Sequence, residues 1–152
     1  MNVRTIVIRD TRGAVTSIVG SGFVGPQGNV GPTGPAGTAG PGVVTMTVPT
    51  TLAAGIGKIR YYFTAAAVIT NIVASVGTAP TGAAIIANVN KNGTTLFTTL
   101  GNRPTIVIGA FTDLSSVPDV TTINPGDYLS IDVLQVGSLV AGANLVVQVY
   151  YS

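Results

Sequence analysis

A strict three-residue period occupies residues 22–42 of this chain. The sequence there reads GFV, GPQ, GNV, GPT, GPA, GTA and GPG, which is seven Gly-X-Y triplets without interruption. Three polyproline II chains wind around one another only when every third residue lacks a side chain, because only glycine fits at the shared axis. The tract therefore predicts a parallel homotrimer with a triple-helical stalk; a disordered Gly/Pro linker is the alternative, but a linker has no reason to keep the period. The stalk glycines are Gly22, Gly25, Gly28, Gly31, Gly34, Gly37 and Gly40.

The composition argues against several classes of function. Only 8% of the residues are charged, and histidine and cysteine are both absent. The commonest general base, the thiol nucleophile and the usual transition-metal ligands are therefore missing, so we expect no enzyme and no cofactor. No run of 18 apolar residues occurs, so no membrane insertion is expected.

The small positive net charge is confined to the N-terminal segment. Arg4, Arg9 and Arg12 oppose Asp10 in residues 1–21, whereas the four cations and four anions of the remaining chain cancel. A basic stripe with interleaved aromatic residues is absent, so nucleic-acid binding is not expected. The three arginines are candidate docking residues for an acidic neighbour.

The N-terminal segment, residues 1–21, has the pattern of a β-hairpin. Two short alternating runs flank a turn at residues 10–13. An isolated hairpin is only marginally stable in water, so it should pair with its symmetry mates or with another protein. We interpret it as an anchor for a larger assembly.

The remaining residues, 43–152, alternate between apolar and polar positions with a period of two, which is typical of strands with one buried face. Asn90-Lys91-Asn92-Gly93 supplies the residues that a tight hairpin turn requires. Eight short strands predict an all-β head, an antiparallel β-sandwich of jelly-roll type. The predicted strands are Val43–Val48, Lys58–Thr64, Asn71–Val76, Ala83–Asn90, Thr94–Thr99, Thr105–Ile108, Tyr128–Gln135 and Asn144–Tyr151.

Two tyrosine pairs supply candidate contact residues in the head. Adjacent residues of a strand face opposite sides, so the pattern places Tyr61 and Tyr151 inward, and Tyr62 and Tyr150 outward. Arg60 and Lys58 share the face of Tyr62. An exposed tyrosine can stack on a sugar ring; burial in a trimer interface is the alternative, which the enrichment of aromatic residues at interfaces favours.

The acidic residues of the head suggest little chemistry. A catalytic carboxylate pair is not indicated, because solvated turn and strand positions account for all four aspartates. Asp113 and Asp119 flank one loop and are the best candidates for a calcium site, although a loop with several spaced aspartates is missing. We therefore expect no bound metal.

Several sequence words resemble a known class of proteins. The stretch GTAPTGAAIIANVNKNGTTLF (residues 77–97), followed by PGDYLSIDVLQVGSLVAGANLVVQVYY (residues 125–151), resembles a β-sandwich domain of tailed-bacteriophage fibre and tail proteins, where it often follows collagen-like repeats. The resemblance implies a structural protein of the virion and supplies no catalytic residues.

These expectations combine into a homotrimeric virion fibre with an anchor (1–21), a stalk (22–42) and a head (43–152). The anchor would bind another virion structural protein, and the head would contact a host surface glycan, with three weak sites acting together. A capsid decoration or head-fibre protein is the alternative. A bacterial surface collagen-like adhesin is a second alternative, weakened by the lack of a recognisable signal peptide or cell-wall anchor.

Overall fold

The structure is a computed structural model that describes residues 6–9, 11–13, 15–18, 28–29, 31–32, 34, 40–57 and 59–152. The contacts within the chain divide it into two compact units, Met1–Gly34 and Pro35–Ser152.

The first unit contains the predicted hairpin. Strands β1 (Ile6–Arg9) and β2 (Val15–Ile18) pair antiparallel, with Ile6 opposite Ile18. In the turn between them, Gly13 has a φ of 81°, a left-handed conformation that glycine adopts without steric cost. The hairpin is thus confirmed, whereas its role as an anchor stays a prediction.

The second unit consists of strands, loops and one short 3₁₀ turn at Leu100–Asn102 within its described residues. Two strands match their predicted bounds closely: the strand predicted as Tyr128–Gln135 begins and ends at those residues, and the strand predicted as Asn144–Tyr151 has one additional residue at its start. The ten strands are β3 (Gly42–Thr51), β4 (Arg60–Tyr62), β5 (Ala67–Ser75), β6 (Ile85–Lys91), β7 (Thr94–Thr95), β8 (Thr105–Ile106), β9 (Thr112–Ser116), β10 (Thr122–Ile123), β11 (Tyr128–Gln135) and β12 (Ala143–Tyr151).

These strands form two antiparallel sheets. The first sheet has the order β3-β12-β5, with β9 and β10 sharing the far edge of β5. The second has the order β4-β11-β6, with β7 and β8 sharing the far edge of β6. The predicted all-β antiparallel class is confirmed, and the two sheets are consistent with a β-sandwich; the jelly-roll type stays a prediction.

The inward faces of both sheets contribute to one hydrophobic cluster. Alternate residues of each long strand are buried, as in β11, where Leu129, Ile131 and Val133 are all at most 1% exposed. Burying a side chain of this size stabilises the fold by roughly 1.5–3 kcal/mol. The two sheets therefore pack face to face around a shared core, which leaves two outward faces for contacts with other molecules.

Several predicted strands have different bounds in the structure. The segment predicted as Lys58–Thr64 contains only the three-residue strand β4, and the strand predicted to continue to Thr99 ends at Thr95. Leu96 and Phe97, the next two residues, are fully buried, so the chain turns into the core there and leaves the sheet. β9 and β10 were not predicted, because their short sequences TDLSS and TI show no clear alternation.

Candidate functional site

The outward face of the second sheet carries an exposed cluster of one arginine and two tyrosines. Arg60 and Tyr62 are two residues apart on β4, so both side chains point away from the core. Pairing between β4 and β11 places Tyr128 opposite Tyr62, and the centroids of their rings are 5.3 Å apart. The guanidinium carbon of Arg60 lies 4.9 Å from the centroid of the Tyr128 ring, within the range of a cation–π contact. We call these three residues the arginine–tyrosine surface.

The chemistry of this surface suits a flat ligand that carries hydroxyl or acidic groups. Tyr62 is 57% exposed, so its ring can stack against another flat molecule. Arg60 offers up to five N–H donors, and no described acidic side chain forms an ion pair with it. A sugar ring, which has C–H groups on its faces and hydroxyl groups at its rim, fits this combination.

A chain of hydrogen bonds lies beside the arginine–tyrosine surface on the same sheet. Thr95 Oγ1 donates to Asn88 Oδ1 (2.6 Å), and Asn88 Nδ2 donates to Asn90 Oδ1 (2.7 Å). Asn90 Nδ2 then donates to Asp132 Oδ2 (2.7 Å), and Asp132 Oδ1 accepts the backbone N–H of Gly57 (2.7 Å). We call this the asparagine ladder. Both asparagines are buried and engaged with each other, so the ladder stiffens the sheet and is not offered to a ligand.

The structure separates the three candidate contact residues of the head. Arg60 and Tyr62 share the arginine–tyrosine surface, whereas Tyr150 lies on β12 of the other sheet, opposite Val43 and Asn71. Tyr150 therefore cannot belong to the same binding site. Tyr128 completes the surface but was not singled out from the sequence. The alternation of β11 places its side chain outward, whereas its contact with Tyr62 depends on the register between β4 and β11.

The strand pairing agrees with the predicted orientations of the four paired tyrosines, but one of the two inward-facing rings is not buried. Tyr62 and Tyr150 are exposed, and Tyr151 packs partly buried against the core, with its ring 5.3 Å from that of Phe63. Tyr61 lies opposite the buried Leu129 but is 42% exposed, so the prediction of a core position is wrong. The short edge strand β4 gives it too few neighbours to cover its ring.

The two aspartates that were considered for a calcium site have other hydrogen-bond partners. Asp113 accepts the backbone N–H of Thr105 (2.6 Å) and the hydroxyl of Ser116 (3.0 Å). Asp119 accepts the backbone N–H of Thr99 (2.7 Å), and this hydrogen bond is the main reason that the pKa of Asp119 lies below its ordinary value. Within the described ranges, no three acidic, histidine or cysteine side chains gather to hold a metal ion.

Asp127 organises the turn that precedes β11. Its carboxylate accepts hydrogen bonds from the backbone N–H of Asn124 (2.8 Å) and from the side-chain amide of Asn92 (2.6 Å). Its Oδ2 lies 3.9 Å from Lys91 Nζ. The hydrogen bond from Asn124 lowers the pKa of Asp127 most, followed by that from Asn92, with a smaller contribution from the charge of Lys91. These contacts join the β6–β7 turn to the start of β11, whose first residue is Tyr128.

A second surface lies where the Gly-X-Y tract enters the head. A shallow groove of about 420 Å³ is formed around the start of β3 and the end of β12, and none of its lining side chains is charged. Tyr150 is 38% exposed and Val43 46% exposed along it. We call it the junction groove; its lining residues are Pro41, Gly42, Val43, Thr70, Tyr150, Tyr151 and Ser152.

The structure describes four of the seven predicted stalk glycines. A Cβ atom added at Gly28, Gly31, Gly34 or Gly40 would have no neighbouring atom within 4 Å. Among the described residues, no contact therefore requires glycine at these four positions. Gly22, Gly25 and Gly37 lie outside the described residues.

The candidate docking arginines are only partly described. Arg12 lies exposed in the hairpin turn, and Arg9 is the last residue of β1. Arg4 and also Lys58, which was grouped with Arg60 and Tyr62 above, lie outside the described residues. The docking role of the arginines stays a prediction.

Comparison with known proteins gives no assignment. No family model, no curated protein and no solved structure matches the chain. The resemblance of residues 77–97 and 125–151 to phage fibre domains therefore stays a prediction. A search of the described residues for a helix long and apolar enough to cross a membrane finds none.

Proposed function

We propose that this protein is a non-enzymatic structural protein of a phage virion, a homotrimeric short fibre whose β-sandwich head contacts the host surface. One observation carries the proposal. Glycine recurs at every third position from Gly22 to Gly40, and at the four described positions no contact with another described residue requires it. Contact with other chains at a triple-helix axis supplies the missing reason, since a side chain there would separate the strands.

The head supplies the contact surface in this proposal. The arginine–tyrosine surface combines an exposed ring with a guanidinium group that no described acidic residue neutralises. We infer that its ligand is a host surface glycan, which stacks on Tyr62 and accepts hydrogen bonds from Arg60. One such site would bind weakly, but three sites on one fibre bind together, and avidity can exceed the single-site affinity by about 10²–10⁴-fold.

A binding experiment with the full-length protein tests the glycan contact. Wild-type protein, Tyr62→Ala and Phe111→Ala are compared on an array of host surface glycans, after sedimentation has verified that each is trimeric. Tyr62→Ala should lose at least about tenfold in affinity, because avidity multiplies the loss of one aromatic contact per site. Phe111→Ala is the matched control, because Phe111 is an exposed aromatic residue that lies outside both the arginine–tyrosine surface and the junction groove, and it should keep wild-type binding. Equal binding by all three proteins would rule out the arginine–tyrosine surface.

Location on the virion distinguishes the fibre from a capsid decoration protein. Antibody against the head, detected by immunogold electron microscopy of intact virions, should label the tail if the protein is an attachment fibre. Labelling spread over the capsid would instead support the decoration function. Purified virions that carry no label and, by mass spectrometry, contain none of the protein would contradict both the fibre and the decoration function.

A further inference from the structure

We propose that the three heads of the trimer contact one another through β3 and the adjacent outward face of β12, so that the partner of this surface is a second copy of the chain. The inference rests on the proposed triple-helical stalk, and it assigns the two outward faces of the sandwich to different tasks. The first sheet assembles the trimer, and the second presents the arginine–tyrosine surface to the ligand.

The connection between stalk and head places β3 near the trimer axis. The last triplet is Gly40-Pro41-Gly42, and Gly42 is also the first residue of β3. No linker intervenes between the repeat and the strand. Since three chains of a triple helix share one axis, the three copies of β3 must start beside one another.

The distribution of charge also points to the first sheet. Four of its strands, β3, β5, β10 and β12, contain no charged residue, and the fifth, β9, contains only Asp113. The second sheet presents Arg60 and Asp132 on its outward face, whereas its Lys91 lies on the inward side, opposite Leu129, and donates to the backbone oxygen of Thr122. Interface cores are depleted of charge, because a buried charge without a partner loses its hydration. The uncharged sheet is the one that can be covered by another copy without this cost.

The free edge of β3 is a further indication. β3 is ten residues long and forms one end of the first sheet, and no described strand pairs with its second edge. Its sequence, GVVTMTVPTT, has strong strand formers and no charged residue. Unpaired edges usually carry charges or are very short, because otherwise they pair with other chains. Here Pro49, the left-handed Thr50 and the β-bulge at the same place interrupt only the last part of β3, and the edge before them is regular.

The junction groove gives this contact a place for side chains. Val43 and Tyr150 are opposite each other in the pairing of β3 with β12, and both are partly exposed on the groove. Aromatic side chains are enriched in interface cores. A neighbouring head that covers the groove would remove both side chains from water, which stabilises the contact by about 25 cal/mol per Å² of apolar area buried.

Site-specific cross-linking of the full-length chain tests the proposal, since the protein contains no cysteine. Thr47→Cys places one thiol on the exposed side of β3, at about 17 Å from Gly42 for strand geometry, too far for the stalk alone to hold it. Thr94→Cys places a thiol at an exposed position of β7 in the second sheet and is the matched control. Each variant is treated with a short bis-maleimide, and reactivity of the thiol is verified with a monofunctional maleimide.

We expect the wild-type chain to sediment as a trimer. The Thr47→Cys trimer should form covalent dimers at least about tenfold faster than the Thr94→Cys trimer, because thiols on heads that contact each other have a millimolar effective concentration. A trimer in which the Thr47→Cys thiol reacts but does not cross-link would overturn the head contact and leave the fibre proposal intact. Equal rates for both variants would also overturn it, since random collision explains them. A monomeric chain would overturn both proposals.

Discussion

At the scale of single residues, two glycines with similar backbone conformations have different surroundings. Gly142 and Gly126 have φ values of 88° and 90°. A Cβ atom at Gly142 would lie 2.6 Å from Ile85 Cδ1, whereas nothing lies within 4 Å of one at Gly126. Alanine at Gly126 should cost only the penalty for a left-handed residue, about 1–2 kcal/mol. Alanine at Gly142 adds a clash in the core, and together we expect about 2–4 kcal/mol.

Urea unfolding of the wild-type protein and both variants, followed by tyrosine fluorescence, measures these differences. Gly126→Ala serves as the control for backbone strain. Equal free energies of unfolding for the two variants would contradict the packing described around Gly142.

Asp127 should make the stability of the head depend on pH in the acidic range. The pKa of Asp127 in the folded protein is lowered from its ordinary value of 3.8, first by the hydrogen bond from Asn124 and then by that from Asn92. A lowered folded pKa stabilises the fold above the ordinary value, and this contribution is lost as the pH falls through the folded pKa. Asp127→Asn removes the titration, so its stability should fall less steeply below about pH 4.

Thermal unfolding of both proteins between pH 6 and pH 2.5 checks the effect of Asp127. Asp119→Asn is a useful comparison, because the pKa of Asp119 is lowered in the same direction through Thr99. The double variant should show the flattest profile of all. Parallel profiles for the wild-type protein and Asp127→Asn would show that this carboxylate does not contribute.

At the scale of elements, the asparagine ladder joins β6 and β11 to the loop that contains Gly57. Asp132→Ala would leave the side-chain amide of Asn90 and the backbone N–H of Gly57 without their acceptor. An unsatisfied buried donor costs about 1–3 kcal/mol, so we expect Asp132→Ala to lower the free energy of unfolding by about 2–4 kcal/mol in total. Gly57 contributes less of this loss because it is exposed. Asp132→Asn keeps one oxygen acceptor and should lose less of the free energy of unfolding.

Hydrogen exchange distinguishes this local effect from general destabilisation. The amide of Gly57 should exchange faster in Asp132→Ala, whereas that of Val147, in the centre of β12 on the other sheet, should change only as much as the global stability does. Unchanged exchange at Gly57 would contradict the ladder.

The strands that could be predicted from the sequence are those with a long alternating pattern. β11 and β12 alternate over eight and nine residues, so their bounds were nearly correct. β4 has three residues and β10 has two, which is too short for a period to appear. The same limit applies to the site: alternation places Arg60 and Tyr62 on one face, but pairing with Tyr128 depends on the register between β4 and β11, which arises from long-range packing.

At the scale of the whole molecule, the sparse charges of the head are distributed unevenly. The strands of the first sheet carry no charged residue on their outward face, since Asp113 lies on the inward side opposite Ala74, whereas the second sheet presents Arg60 and Asp132 outward. A monomeric sandwich has no physical reason for this difference, because both of its outward faces meet water. A trimeric head has one, since one face meets other copies and the other meets solvent or a ligand. The proposed assembly and the proposed glycan site are therefore compatible, because they use different sheets.

The stalk gives the last prediction at this scale. Gly31→Ala should remove the low-temperature collagen-type circular dichroism transition of the full-length protein, because one side chain at the axis disrupts a triple helix and seven triplets have little stability to lose. Asn29→Ala introduces the same residue at an X position, away from the axis, and should leave the transition in place. The β-sheet signal of the head should unfold at nearly the same temperature in both variants, because its core lies within residues 44–149. A Gly31→Ala protein with an unchanged transition would show that the Gly-X-Y tract is a linker, and the reason for its period would then have to lie outside the fold.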